Sequence, residues 1–136
     1  MNTTTYIDLA RSLEGAGILE GAPSAEKNPR IAGAYHDSRL VTPGSLFVCK
    51  GATFKPAFLA GALERGAVAY LCDVARADEL AAVAPGVPAL VTSDLRRAMA
   101  LVSAEAFDHP DRSLPLVGIT GTKGKTTTAY MLRSIL

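Results

Sequence analysis

Apolar positions first recur at helical spacing near the start of the chain. Tyr6, Leu9, Ala10 and Leu13 share one helical face, with Thr5 placed to cap the helix and Gly15 and Gly17 to stop it. A turn-rich stretch, 21–30, leads to a short apolar run at 31–35. Pro43-Gly44 then punctuates ahead of a strand candidate, Leu46-Phe47-Val48-Cys49. From there the rhythm is regular. Pro56 opens a helix that ends near Gly66, and residues 68–72 read as a buried strand because the run is short, apolar and bounded by turn formers. An alanine-rich helix follows and breaks at Pro85-Gly86, and residues 87–91 form the next strand. Ser93 or Asp94 then caps a helix carrying Leu95, Met99, Val102 and Ala106 on one stripe.

Strands alternating with helices predict parallel pairing through right-handed crossovers. The expected fold is therefore a layered α/β/α domain with a mostly parallel sheet over residues 1–110. The segment 109–115 is rich in breakers and follows a completed helix, which places a domain boundary there. Residues 111–136 read as a linker, a new strand at 116–120, a glycine-containing loop and the first helix of a second unit. No internal repeat or low-complexity tract interrupts this order.

Composition narrows the functional classes. A chain of 136 residues, 49% apolar and 20% charged, suits a folded domain that needs no metal or disulfide to hold it. A net charge of +1 without clustered Lys and Arg argues against a broad nucleic-acid surface. The start, Met1-Asn2-Thr3-Thr4-Thr5, has no basic segment followed by an apolar one, and no apolar run is long enough to span a bilayer. The expectation is a cytoplasmic protein without a membrane partner. Cys49 and Cys72 both sit in apolar, strand-like runs and read as buried, reduced thiols.

The clearest chemistry lies at Thr120-Gly121-Thr122-Lys123-Gly124-Lys125-Thr126-Thr127-Thr128. Gly121 and Gly124 permit backbone angles that turn successive N–H groups toward phosphate oxygens, making a cradle. Lys125 brings a compact positive charge to the β and γ phosphates, the Thr126 hydroxyl suits a magnesium ion bridging them, and the following helix aims its positive end at the same anion. The spacing departs from the generic phosphate-loop template by one position, with Ile119 where the first glycine is expected and Gly118 and Gly121 on either side. Lys123 either reaches phosphate or faces solvent.

At these residues the chain resembles the Mur ligase family, whose loop reads Thr-Gly-Thr-Asn-Gly-Lys-Thr-Thr, matched here except for Lys123 in place of Asn. A second block, Asp37-Ser38-Arg39 followed by Pro43-Gly44-Ser45-Leu46-Phe47-Val48 and later Gly66-Ala67, is similar in order and in distance from the loop to the N-terminal domain of one member. That member adds the third residue of the peptidoglycan stem peptide. The resemblance covers nearly the whole chain.

What the resemblance implies is a three-part enzyme. Its N-terminal domain holds the UDP end of a muramoyl peptide, its central domain binds ATP and magnesium, and its C-terminal domain receives the incoming amino acid. The implied substrate is UDP-N-acetylmuramoyl-L-alanyl-D-glutamate. Its carboxylate attacks the γ-phosphate to give an acyl phosphate, which the amino group of the incoming residue then resolves. For this chain the resemblance implies a hydrogen bond from Ser38 to the uridine and a place for His36 at the uracil pocket. Arg39 makes either a phosphate contact or a local ion pair. The loop Lys50, Gly51, Ala52, Thr53, Phe54, Lys55 corresponds to one that closes over the uracil. It lacks the usual Asp-Gly-His element and is one residue shorter, and Lys50, Thr53 and Lys55 either serve a diphosphate or are solvated surface groups.

The ATP-binding residues implied are Gly121, Thr122, Lys123, Gly124, Lys125, Thr126 and Thr127, with Thr126 on magnesium. The chain is then expected to be the front of a longer enzyme, separated from its central and C-terminal domains. It would carry no catalytic residue and hold no ATP or magnesium by itself. Three other readings stay open: the related dipeptide-adding ligase, a folate-type glutamate ligase, against which the Asp37-Ser38-Arg39 block weighs, and a stand-alone nucleotide-sugar binding module.

Overall fold

A computed structural model describes residues 3–24 and 26–136. Met1, Asn2 and Ala25, which entered the reading of the N-terminus and of the turn-rich stretch, lie outside the described residues. Helix α1 (Tyr6–Gly15) starts at a capping box. The Thr5 hydroxyl accepts from the Asp8 backbone N–H, and the Asp8 carboxylate accepts from the Thr5 backbone N–H at 2.9 Å. Tyr6, Leu9, Ala10 and Leu13 are its buried stripe.

Among the described residues five strands form one sheet in the order β1-β5-β4-β3-β2. β2 (Ala34–Tyr35), β3 (Leu46–Val48), β4 (Ala69–Asp73) and β5 (Ala89–Thr92) pair in parallel, while β1 (Leu19–Glu20) joins β5 antiparallel at one edge. The crossovers are α2 (Pro56–Glu64), with proline in its first turn where no donor is lost, and α3 (Ala77–Val83). Helix α4 (Leu95–Ala106) follows β5 and is capped by Asp94, whose carboxylate accepts from the Arg97 N–H at 3.0 Å.

Because strand side chains alternate faces, each central strand feeds two cores. Leu46, Val48, Ala69, Leu71 and Leu90 point toward α1 and α4, where they meet Leu9, Leu13, Ala98 and Val102. Phe47, Cys49, Tyr70 and Cys72 point the other way, against Leu59 and Ala62 of α2 and Leu80 of α3. The layered α/β/α architecture with a mostly parallel sheet is thus the observed fold. At roughly 1.5–3 kcal/mol for each large apolar side chain fully removed from water, these two layers supply most of what holds the domain.

Two elements depart from the sequence expectation. β1 was not expected; two residues carry no readable alternation, and Leu19 pairs because Ile18 and the edge of β5 bring it there. Residues 116–120, expected as a strand, form no ladder among the described residues, since no neighbouring strand lies beside them to accept their hydrogen bonds. Ala106 is the last buried residue. Beyond it come a short helix, α5 (Pro110–Ser113), within the breaker-rich seam, and α6 (Lys125–Ile135), which buries no side chain fully.

Candidate functional site

In a parallel α/β sheet the loops at the carboxyl ends of the strands are free to bind ligands, because the backbone there leaves the ladder. β2 ends at Tyr35 and hands the chain to His36 and to a 3-10 turn, Ser38–Leu40. Asp37 shapes this turn: its carboxylate accepts from the Arg39 backbone N–H at 3.0 Å and also from the Arg39 guanidinium, with Oδ2 to Nη2 at 2.7 Å. Ser38 is left half-buried between them with its hydroxyl uncommitted to any hydrogen bond among the described residues. The two arms of the pair hold Asp37 well below the ordinary carboxylate range, at about 2.

β3 ends at Val48, Cys49 remains buried, and the chain emerges at Lys50. Gly51 has φ +108, a conformation that side chains rarely adopt, and lets the loop turn back so that the Phe54 N–H reaches the Gly51 carbonyl at 3.1 Å. The two strand ends are neighbours in the sheet, and a cavity of about 610 Å³ opens between their loops. His36, Asp37, Ser38, Arg39, Lys50, Gly51, Thr53, Phe54 and Phe58 line it. Its size falls in the range of small-molecule sites, about 300–1,000 Å³.

Six residues that the sequence singled out for a uridine nucleotide, His36, Ser38, Arg39, Lys50, Gly51 and Thr53, therefore meet around one hollow. Ala52 and Lys55 belong to the same loop but are not in its lining. Of the alternatives for Arg39, the local ion pair is the one formed. Sequence reasoning missed the aromatic wall. Phe54 and Phe58 stand edge to face with centroids 6.1 Å apart, and the Arg76 guanidinium lies 4.7 Å above the Phe54 ring. Phe58 is 42% exposed, an apolar surface of the kind on which a flat base stacks. The signal for it was available as two phenylalanines four residues apart across the start of α2.

The phosphate-loop segment lies outside this cavity. Gly124 adopts φ +77 and stands at the N-terminus of α6, so the first N–H groups of the helix are free to face an anion. The Lys125 ammonium arches back and donates to the Gly121 carbonyl, which places its charge over the loop. Thr128 spends its hydroxyl on the Gly124 carbonyl at 2.9 Å, whereas Thr126 makes no such bond among the described residues. These residues fit a nucleotide phosphate and its magnesium: Gly121–Gly124 backbone and Lys125 for the phosphates, Thr126 for the cation. Among the described residues no three His, Cys, Asp or Glu side chains come together to hold a metal.

The chain matches no model of a known protein family. It is, however, 42% identical over 115 residues to UDP-N-acetylmuramyl-tripeptide synthetase of Latilactobacillus sakei subsp. sakei (strain 23K), an overlap covering 85% of this chain and 21% of that protein. Over 112 residues it is 43% identical to the enzyme of the same name from Bifidobacterium longum (strain NCC 2705), covering 82% and 20% of the two chains. The chain belongs to the Mur ligase family. It spans about a fifth of the length of the curated relatives it matches.

Within the Mur ligases the match does not follow the incoming amino acid. The UDP-N-acetylmuramoyl-L-alanyl-D-glutamate--2,6-diaminopimelate ligase of Streptomyces avermitilis is 45% identical over 114 residues, covering 82% of this chain and 22% of its own. The corresponding L-lysine ligase of Streptococcus suis (strain 05ZYH33) is 41% identical over 101 residues, covering 74% and 20%. Relatives named for different amino acids match these residues about equally.

Proposed function

We propose that residues 1–110 form the nucleotide-recognition domain of a ligase that adds the third residue of the peptidoglycan stem peptide. Residues 111–136 then begin its ATP-binding domain. The observation that carries the reading is the meeting of His36, Ser38, Lys50 and Thr53 around one cavity at the carboxyl edge of β2 and β3. The ligand class is a uridine diphosphate joined to a muramoyl peptide, UDP-N-acetylmuramoyl-L-alanyl-D-glutamate.

The roles follow from the chemistry of each group. Ser38 offers a donor and an acceptor in one hydroxyl, which suits the mixed edge of uracil, and the Phe58 ring offers it a face. Lys50 and the Thr53 hydroxyl are donors for phosphate oxygens. ATP with magnesium, when bound to the whole enzyme, supplies the activation of a substrate carboxylate. Gly121, Gly124 and Lys125 hold its phosphates by backbone N–H groups and one ammonium, and Thr126 offers an oxygen to the cation. No residue of the chain is assigned to the bond-forming step itself.

Titration calorimetry of the 136-residue chain tests the proposal. UDP and UDP-N-acetylmuramoyl-L-alanyl-D-glutamate are expected to bind, and magnesium ATP is not expected to bind to this chain alone. Tight ATP binding together with silence toward both uridine ligands would overturn it.

A further inference from the structure

We infer that Arg96, at the start of α4, is a second phosphate-binding residue of the same site, so that a nucleoside diphosphate lies across the top of the sheet from the Phe58 wall to α4. The inference rests on the uridine-nucleotide reading above. A hollow of about 270 Å³ adjoins the main cavity, lined by Lys50, Leu95, Arg96 and Met99. Lys50 forms the wall of both hollows. It emerges from the end of β3, at the rim between the layer of α2 and the layer of α4, so the two hollows lie on either side of one ammonium.

The charges around this double hollow are unequal. Asp37 and Arg39 neutralise each other in a bidentate pair, and the Arg76 guanidinium is taken by Glu79 at 3.0 Å. Lys50 and Arg96 form no ion pair among the described residues. They are thus the two uncompensated cations lining adjoining parts of one surface, and the apolar side chains of Leu95 and Met99 keep water from one side of the second. Two phosphates in series, one at Lys50 and one at Arg96, is the ligand chemistry that matches both charges. A nucleoside monophosphate meets only the first. Arg97, adjacent in sequence and also exposed, does not line the hollow and gives an internal control.

The test is calorimetric titration of the full chain with uridine, uridine monophosphate and UDP. Wild type is expected to bind UDP more tightly than the monophosphate. Arg96→Gln is expected to weaken UDP about tenfold, bringing it near the monophosphate, while leaving the monophosphate and uridine unchanged. Arg97→Gln should leave all three as in wild type, and Arg96→Lys should restore part of the UDP affinity. If Arg96→Gln preserves the ratio of UDP to monophosphate affinity, or if Arg97→Gln has the same effect, Arg96 has no special place and the inference fails, with the uridine reading intact. If wild type binds none of the three, the uridine reading itself fails and takes this one with it.

Discussion

The Asp37 carboxylate grips the Arg39 guanidinium at two points, Oδ1 to Nε at 2.9 Å and Oδ2 to Nη2 at 2.7 Å, across a single intervening residue, Ser38. The pair works as a clamp on the turn that presents Ser38. Its main effect on Asp37 comes from the Arg39 side chain and next from the Arg39 backbone N–H, and together they lower the carboxyl to about 2. A carboxyl depressed in the folded state stabilises the turn at pH values above its ordinary 3.8, and the contribution is lost as pH falls through about 2. Carboxyl-carbon NMR should therefore find the Asp37 midpoint near 2, and Arg39→Gln should return it toward 3.8. A wild-type midpoint that is already ordinary would mean the clamp is open in solution.

Replacing Ser38 by Ala removes one hydroxyl from the cavity wall without touching the clamp on either side of it. One hydrogen bond to a neutral base edge is worth about 0.5–1.5 kcal/mol, so UDP affinity should fall roughly two- to thirteenfold. The melting temperature should not move, because the Ser38 hydroxyl forms no hydrogen bond among the described residues. Unchanged affinity would remove Ser38 from the site.

Much of this was legible in the sequence where local chemistry and tertiary demand coincide. Thr5 as a cap, Pro56 in a first helical turn and the stripe from Leu95 to Ala106 each state their structure locally, and the fold keeps them. β1 was not legible, because a two-residue edge strand is decided by what β5 offers it rather than by its own pattern. Residues 116–120, expected as a strand from their apolar composition, form none, because a strand is a pairwise object and this segment has no neighbour among the described residues. In the site, short motifs identified the polar residues. Phe58 and Arg96 escaped because they lie on regular helices, where an aromatic or a cation is unremarkable until the fold turns it toward a cavity.

Two glycines separate backbone strain from helix propensity. Gly66 sits at φ +97, and a Cβ there would come within 2.9 Å of Pro43 Cα, while its carbonyl accepts the Gly44 N–H at 2.8 Å. Gly66→Ala should destabilise by about 2–3 kcal/mol, since both the left-handed angle and the clash must be relieved by moving backbone. Gly61, inside α2, has nothing within 4 Å of its missing Cβ. Gly61→Ala should stabilise by up to about 1 kcal/mol from helix propensity alone. Urea denaturation of the two variants should give shifts of opposite sign.

Cys49, just past the end of β3, and Cys72, on β4, follow the last paired register, Val48 opposite Leu71, and both face the layer of α2 and α3. Burial pushes both thiols up, Cys72 to about 11 from an ordinary value of 9.0, and the neighbouring Asp73 adds to the shift. At pH 8 only about one Cys72 in a thousand would then be thiolate, the form that reacts. The folded chain should ignore a thiol-specific aromatic disulfide reagent at that pH and react at both residues after unfolding in urea. Because the folded-state value is the higher one, the Cys72 thiol supports the fold fully below about 9 and loses that support as pH rises through about 11. Cys72→Ala should flatten the alkaline fall in stability while lowering stability at pH 7 through the volume it leaves. Rapid modification of either thiol in the native state would show instead that the layer of α2 and α3 opens, and with it the wall that carries Phe58.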